Sequence, residues 1–271
     1  MSKQEFYQRS HCNLLVNILL TFIKVGVKYL VSYNYVSKIS GKPICNRGVI
    51  VQTDAKLIEK REILKIELKK KGNKSVSVIM MNPSEADSDK SDVTVNKVID
   101  FFIGPSLSPL NERNRRITDI KYLNILNLLS IYNPDSTGLN NDLDTIINER
   151  SKEYLQLLLK SNIELAIQTI KDSDYVVLAW GMPDEFPLPL YFKLAAMVLE
   201  ELINSPKEIF VFHVKKSKAR YHLTKRLNPP HPSYCNLLGL VRVDVDAFLR
   251  IAPRASTIST EDEHYEQQEQ K

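Results

Sequence analysis

Short apolar runs that alternate with helical segments constrain the fold of this chain more than any other feature of its sequence. Aliphatic and β-branched residues fill the runs at 75–81, 122–131, 175–181 and 208–214. Such short, nearly continuous apolar segments are typical of buried strands. Helical segments are predicted at 94–102, 142–170 and 190–203. Strands that alternate with helices predict an α/β fold, a three-layer sandwich with a mostly parallel central sheet.

The chain is predicted to have three parts. They are an N-terminal helical extension at 1–45, an α/β domain at 46–250 and an acidic, disordered tail at 251–271. Two lysines interrupt the apolar run at 14–31, so we expect an amphipathic helix rather than a signal peptide or a membrane span. The tail lacks apolar periodicity, which is typical of disorder.

The composition sets several classes of protein aside. Hydrophobic residues make up 43% of the 271 residues and charged residues 25%, which excludes a disordered or fibrous chain. The three cysteines cannot form a disulfide framework, so a reducing cytoplasm is the expected compartment. The formal net charge of +5 permits a nucleic-acid partner without requiring one.

No cofactor and no metal are expected from the motifs. The chain contains no P-loop, no glycine-rich dinucleotide fingerprint and no nucleophile elbow. Its histidines and cysteines lack zinc-ligand spacing, which argues against a nucleobase deaminase. The acids at 85–92 lack the glycine and the terminal glutamate of an EF-hand calcium loop.

Residues that directly follow a predicted strand are the first candidates for a site, because ligands of open α/β sheets bind outside the carboxyl ends of the strands. The first strand runs into MMNPSEADSDKSD, residues 80–92. There Asn82 presents an amide to the crevice, Pro83 stiffens the exit, and Ser84 can cap a turn. Asp87 is one of several acids in this segment. A solvated turn with helix-capping acids is the alternative interpretation.

The next two strands also contain unusual residues. Asn127 lies within the apolar run at 122–131, where it either satisfies local backbone groups or reads a ligand with a donor and an acceptor. For Asn124, in the same run, the structural role is favoured. Trp180 is expected in the core, and Gly181 is expected to allow a tight exit or the close approach of a ligand.

A histidine held between prolines is the last candidate. In RLNPPHPSYCN, residues 226–236, two prolines precede His231 and one follows it, which leaves the backbone little freedom. We interpret the segment as a rigid loop that presents His231 and Ser233, with a structural histidine as the alternative. The basic residues upstream are either a solvated face or a phosphate-binding surface, and their proximity to this loop favours the second. Those predicted to bind DNA are Lys215, Lys216, Lys218 and Arg220.

The order of these motifs resembles that of the uracil-DNA glycosylase superfamily. In that superfamily one strand ends in Asp-Pro or Asn-Pro, and the next ends in a base-reading Asn. A later strand ends in Trp-Gly, and a His-Pro-Ser loop follows. Residues 75–236 of this chain offer, in the same order, Asn82-Pro83-Ser84, Asn127, Trp180-Gly181 and His231-Pro232-Ser233. The resemblance implies a uracil-DNA glycosylase-like fold.

A closer resemblance is to an uncharacterised bacterial and phage family with an Asn-Pro-Ser-x-Ala-Asp signature. The segments that carry it are MNPSEAD, SDVT, VVLAWG and PHPSY. Through that family the chain is similar to a phage-defence type of DNA glycosylase that removes glucosylated hydroxymethylcytosine from phage DNA. Many uracil enzymes have Asp where this chain has Asn82. The mismatch-type branch has Asn at that position, and the resemblance makes it the nearer model. No residue matches those that exclude a 5-substituted pyrimidine, which leaves room for a larger base.

The resemblance implies that the chain is an enzyme, a DNA N-glycosylase that leaves an abasic site. The base must leave the duplex before its glycosidic bond can be reached. His231 would donate to the departing base, and Asn82 would orient the attacking water. Asp87 would activate that water or stabilise the cationic sugar.

The resemblance also implies residues that bind the substrate. Asn127 would hydrogen-bond the edge of the base. Backbone amides would hold phosphate in the loops that contain Pro83, Ser84 and Ser233. The expected partner is double-stranded DNA with a modified base, and no membrane; the oligomeric state is not predicted.

Two other functional classes stay open at this point. The first is a hydrolase or transferase that acts on a free nucleoside or nucleotide, which would need no basic DNA-binding surface. The second is a non-catalytic nucleic-acid-binding module, which would tolerate the loss of the Asn82 and His231 side chains. The salt dependence of binding and the effect of those substitutions discriminate among the three.

Overall fold

The structure is a computed structural model. It describes residues 34–35, 37–104, 117, 119–133, 138–182, 187–203, 205–233 and 235–254. The helix predicted at 14–31 and the tail beyond residue 254 lie outside these residues. Within the described ranges, no helix is both long enough and apolar enough to cross a membrane.

Strands and helices alternate along the described part of the chain. The strands are β1 (Ile44–Gln52), β2 (Leu57–Glu67), β3 (Lys74–Met80), β4 (Ile120–Asn127), β5 (Tyr175–Leu178), β6 (Glu208–Lys216), β7 (Ala219–Tyr221), β8 (Asn236–Val245) and β9 (Ile251–Pro253). The helices are α1 (Val93–Ile103), α2 (Leu139–Glu149), α3 (Lys152–Asp172) and α4 (Leu188–Leu202). The four apolar runs chosen from the sequence correspond to β3, β4, β5 and β6.

The strands form one mixed sheet in the order β1-β2-β4-β3-β5-β6-β8-β9, with β7 on β6. Among the strands of the described residues, only β4, β3, β5 and β6 pair in parallel. The prediction of a mostly parallel sheet is therefore wrong, because antiparallel strands flank this centre on both sides. Short connections join β1 to β2, β6 to β7 and β8 to β9, and such short connections allow only antiparallel pairing.

Apolar side chains from the strands and helices form two hydrophobic clusters. In β3, Val76 and Val78 belong to one cluster and Ile79 belongs to the other. The first of these clusters includes α1 residues such as Val98, and the second includes residues of α2, α3 and α4 such as Tyr191. The central strands thus contribute to both clusters, which explains their nearly continuous apolar sequences.

The segments chosen from the sequence lie together along one edge of the sheet, the edge that the carboxyl ends of the parallel strands form. The parallel strands β4, β3, β5 and β6 all end at this edge. Strand β8 runs antiparallel to β6, and its first residue, Asn236, pairs with Lys215 near the end of β6. The histidine loop immediately precedes β8, so it reaches the same edge as the segments that follow β3 and β5.

Replacement of a buried residue in the parallel centre tests this packing. Ile79 is fully buried in β3, so Ile79→Ala is expected to lower the free energy of unfolding by about 2–5 kcal/mol, through lost burial and the cavity left behind. Ile44 in edge strand β1 is 68% exposed, and Ile44→Ala, the control, is expected to stay within about 0.5 kcal/mol of the wild type. Urea unfolding measures both, and equal losses would contradict the burial pattern.

Candidate functional site

The loop that joins β3 to α1 begins with an amide whose orientation is fixed. The Nδ2 of Asn82 donates to the carbonyl oxygens of Pro83 at 3.1 Å and Asn133 at 2.9 Å. The buried Pro83 is held in turn, because its carbonyl also accepts from the Asn133 N–H at 3.0 Å. With both amide hydrogens used, Oδ1 of Asn82 is the atom that can accept from a ligand or a water. No described residue donates to it.

A buried carboxylate closes this loop and starts α1. Asp92 is the N-cap of α1, and its Oδ1 accepts from the Val95 N–H at 2.7 Å. Its Oδ2 accepts from the Ser84 hydroxyl and from the Ala86 N–H. A capping side chain of this kind satisfies amide groups that the first turn leaves unpaired. The helix-capping interpretation is therefore correct for Asp92.

Asp87 is buried in the middle of the same loop. Its Oδ1 accepts from the N–H groups of Asp89 at 2.8 Å and Lys90 at 3.0 Å. Its Oδ2 accepts from Arg47 at 2.6 Å, and Arg47 also pairs with Glu59. Both carboxylate oxygens thus have partners within the loop and on β1, and the role of Asp87 towards water or sugar stays a prediction.

The predicted base reader lies against this loop. Asn127 is the last residue of β4 and is fully buried. In the orientation that satisfies both ends of its amide, Nδ2 donates to the main-chain oxygen of Asn82 at 3.2 Å, and Oδ1 accepts from Arg61 at 3.3 Å. The structure thus brings Asn82 and Asn127 into direct contact, while base reading by Asn127 stays a prediction.

The end of β5 is joined closely to the histidine loop. Trp180 is almost completely buried in a hydrophobic cluster, as predicted. Gly181 has a φ of +70°, and a Cβ on it would lie 2.7 Å from the Cβ of His231. Its N–H donates to the carbonyl of Pro229 at 2.9 Å, and its carbonyl accepts from the Tyr191 hydroxyl. Only glycine fits here, because both the φ and the contact exclude a side chain.

Hydrogen bonds determine which ring nitrogen of His231 carries a proton. The Ser233 N–H donates to Nδ1 of His231 at 3.3 Å, and the Ser233 hydroxyl lies 2.8 Å from the same atom. Since Nδ1 accepts from a main-chain N–H, the proton of the neutral ring is on Nε2. No described residue accepts from Nε2, so the ring keeps one donor for a ligand.

The surroundings of His231 keep its ring neutral. Burial lowers the pKa of His231 to about 4; the Asp92 carboxylate opposes this shift and the Lys97 ammonium adds to it. Lys97 also holds the loop in place, because its Nζ donates to the carbonyls of Pro232 at 2.8 Å, Ser233 at 2.7 Å and Cys235 at 2.9 Å. The ring is therefore uncharged near neutral pH.

The predicted DNA-binding residues form a basic hairpin at the same edge of the sheet. Strands β6 and β7 pair around a turn, with Lys215 opposite Arg220. Lys216, Lys218 and Arg220 are exposed, and Lys215 is partly buried. Among the described residues, none of these four side chains forms an ion pair. Their charges are therefore available to an anionic partner.

Several residues at this edge have no counterpart in the sequence-based prediction. Arg47 and Arg61 contact the loop after β3, and Lys97 holds the histidine loop. Isolated basic residues in strands and helices carry no local signal, because only the tertiary structure brings them beneath the loops. Among the described residues, no group of three His, Cys, Asp or Glu side chains could hold a metal ion.

A known protein family matches most of this chain. A family model described as "Protein of unknown function (DUF1643)" matches residues 61–233, more than half of the chain. The matched range includes every candidate residue from Asn82 to Ser233. No curated protein and no solved structure matches the chain.

Removal of the Lys97 charge tests the electrostatics of the histidine loop. Because this ammonium disfavours the imidazolium, Lys97→Met is expected to raise the pKa of His231 from about 4 towards its ordinary value of 6.5. Lys193→Met, on the exposed side of α4, is the control and should leave the titration unchanged. NMR of the histidine ring as a function of pH measures the shift. An unchanged pKa in Lys97→Met would contradict the assigned cause.

Proposed function

We propose that the chain, which belongs to the DUF1643 family, is a DNA glycosylase. It would hydrolyse the N-glycosidic bond of a flipped-out, modified base and leave an abasic site. One arrangement carries the proposal: at one edge of the sheet, a neutral imidazole keeps an N–H donor and an amide keeps an oxygen that no described residue occupies. An unpaired basic hairpin lies at that same edge.

The proposal includes a three-layer sandwich of the uracil-DNA glycosylase type. Successive residues of β3 and β5 belong alternately to the two hydrophobic clusters. Since successive strand residues point to opposite faces of a sheet, this alternation supports helices on both faces, with α1 on one face and α2, α3 and α4 on the other. The order of the site motifs along the chain, which resembles that of this superfamily, also supports the proposal.

His231 is proposed to stabilise the departing base. The base becomes negatively charged as the glycosidic bond breaks, and the Nε2–H of a neutral imidazole can donate to it. A donor that is already fixed in position needs no reorganisation during the reaction and is typically worth about 2.7–4 kcal/mol of the barrier. The prolines, Ser233 and Lys97 provide that fixed position.

Asn82 is proposed to position the water that attacks the sugar. Its Nδ2 is occupied by two carbonyls, so Oδ1 can accept a hydrogen bond from that water. Asp87 is assigned to the second role considered for it, stabilisation of the cationic sugar by charge. Both oxygens of this carboxylate already accept hydrogen bonds, which supports an electrostatic contribution rather than proton transfer.

The remaining candidates are proposed to bind the substrate. Asn127 reads the edge of the base through the second hydrogen of Nδ2, because Arg61 occupies its Oδ1 and the Asn82 carbonyl accepts the first hydrogen. Backbone amides of the loops at Ser84 and Ser233 hold phosphates near the scissile bond. The basic hairpin contacts more distant phosphates of the duplex. A cytoplasmic role in defence against phages with modified DNA is part of the proposal.

Loss of the two free hydrogen-bonding groups tests the chemistry. We expect His231→Ala and Asn82→Ala each to slow base release roughly 10²-fold or more, because each removes a preorganised polar group from the transition state. The substrates are duplexes that contain uracil, hydroxymethylcytosine or glucosylated hydroxymethylcytosine. Mass spectrometry measures the free base, and alkali cleavage measures abasic sites.

Two outcomes of this assay would count against different parts of the proposal. Full base release by the His231→Ala, Asn82→Ala double variant would show that the catalytic residues are wrongly assigned. No release from any modified DNA by the wild type would contradict the glycosylase activity itself. Lys193→Met on α4 serves as the control for general effects of substitution.

The basic hairpin predicts how binding depends on salt. The logarithm of the DNA affinity should fall linearly with the logarithm of the salt concentration, with a slope of about −0.9 per phosphate neutralised. Charge reversal at Lys216 and Lys218 should weaken binding to all sequences alike and reduce that slope. Lys193→Glu, a charge reversal on the exposed side of α4, is the control. Fluorescence anisotropy at several salt concentrations measures the slope, and a flat response would favour an enzyme that acts on free nucleosides.

A further inference from the structure

A fully buried arginine lies beneath the loop after β3. Arg61 is on β2, and only 1% of its surface is exposed. Burial lowers the pKa of its guanidinium, and the Asp92 carboxylate is the strongest of the charges that oppose this shift. A charge buried in this way is expensive unless its hydrogen bonds are well used.

The guanidinium contacts the loop at two separate points. Its Nη1 donates to the carbonyl of Ala86 at 2.5 Å. Its Nη2 donates to Oδ1 of Asn127 at 3.3 Å, and the Nδ2 of Asn127 donates to the main-chain oxygen of Asn82 at 3.2 Å. One side chain thus holds Ala86 directly and Asn82 through Asn127.

The donor pattern of arginine also determines the orientation of the Asn127 amide. A guanidinium only donates, so the atom of Asn127 that faces it must be the oxygen. The Nδ2 of Asn127 is then directed towards the first residue of the loop. Without Arg61, Oδ1 of Asn127 would lose its donor, and among the described residues only the Asn82 carbonyl, an acceptor at 3.2 Å from Nδ2, would still hold the amide in this orientation.

Stability alone does not account for a buried arginine here. Well-packed apolar residues often replace buried charged groups with no loss of stability. In addition, Nε of Arg61 is buried and has no hydrogen-bond partner among the residues that the structure describes, so those residues do not fully satisfy the guanidinium. The two contacts that it does make are both with the candidate site.

We propose that Arg61 is a positioning residue that orients the Asn127 amide and fixes the main chain of the loop at 82–92. It does not itself touch the substrate. The effect of Arg61 on base release rests on the proposed function. Its effect on the loop at 82–92 can be measured without any activity.

Arg61→Met is the main test, and Arg242→Met is its matched control. Arg242 is also a strand arginine with a buried, unpartnered Nε, and it pairs with Glu208, at the beginning of β6 and thus at the opposite edge of the sheet. Hydrogen exchange followed by mass spectrometry should show at least about tenfold faster exchange of the amides at 82–92 in Arg61→Met, because their closed state is less populated. Arg242→Met should leave exchange in this loop unchanged.

Base release provides the second readout. Arg61→Met should lower kcat/KM for DNA roughly tenfold or more, since the residue positions both Asn82, which holds the water, and Asn127, which reads the base. Arg61→Lys, which keeps one charged donor, should restore part of the rate. The Arg61→Met, Asn127→Ala double variant should be no slower than the slower single variant, because both substitutions break the same connection.

The outcomes separate this inference from the proposed function. Folded Arg61→Met with unchanged exchange at 82–92 would overturn the positioning role, whatever its activity. If Arg61→Met does not fold, Arg61→Lys decides by the same exchange measurement, with wild-type exchange as the contradicting result. Absence of base release by the wild type would overturn the glycosylase proposal only, because the exchange measurement still tests Arg61.

Discussion

The parallel pairing of β4, β3, β5 and β6 is the constraint on which the candidate site depends. Parallel strands end at the same edge, so Asn82, Asn127 and Gly181 are collected there by backbone pairing alone. Strand β8 runs antiparallel to β6 and starts at this edge, which brings His231 to it as well. A histidine loop that led into another parallel strand would instead have approached the opposite edge.

Three basic side chains hold the two loops at this edge of the sheet in place. Arg47 and Arg61 come from the antiparallel flank and contact the loop after β3, whereas Lys97 comes from α1 and binds three carbonyls of the histidine loop. Strands β1 and β2, whose antiparallel pairing the sequence did not predict, therefore support the site. Lys97 also couples geometry to protonation, because the charge that fixes the loop helps to keep the His231 ring neutral.

Unused hydrogen-bonding capacity distinguishes Asn82 and His231 from the residues around them, including Asp87, whose proposed catalytic role is electrostatic. Asp87, Asp92 and Asn127 have their polar atoms occupied by other groups of the protein. Asn82 and His231 are equally well held, but each keeps one polar atom without a partner among the described residues. A rigid group with one free donor or acceptor is the arrangement that electrostatic catalysis requires.

The sequence by itself determined the central strands, the main helices and the order of the site segments. Local periodicity and the Asn-Pro and His-Pro pairs carry that information, so 75–81 agrees with β3 to within one residue. The direction of strand pairing, strands β7 to β9 and the role of Arg61 were decided only by the tertiary structure. The pairing of strands and the burial of a charge depend on residues that are distant in the chain, as Arg61 depends on Ala86 and Asn127. A local sequence pattern therefore cannot predict them.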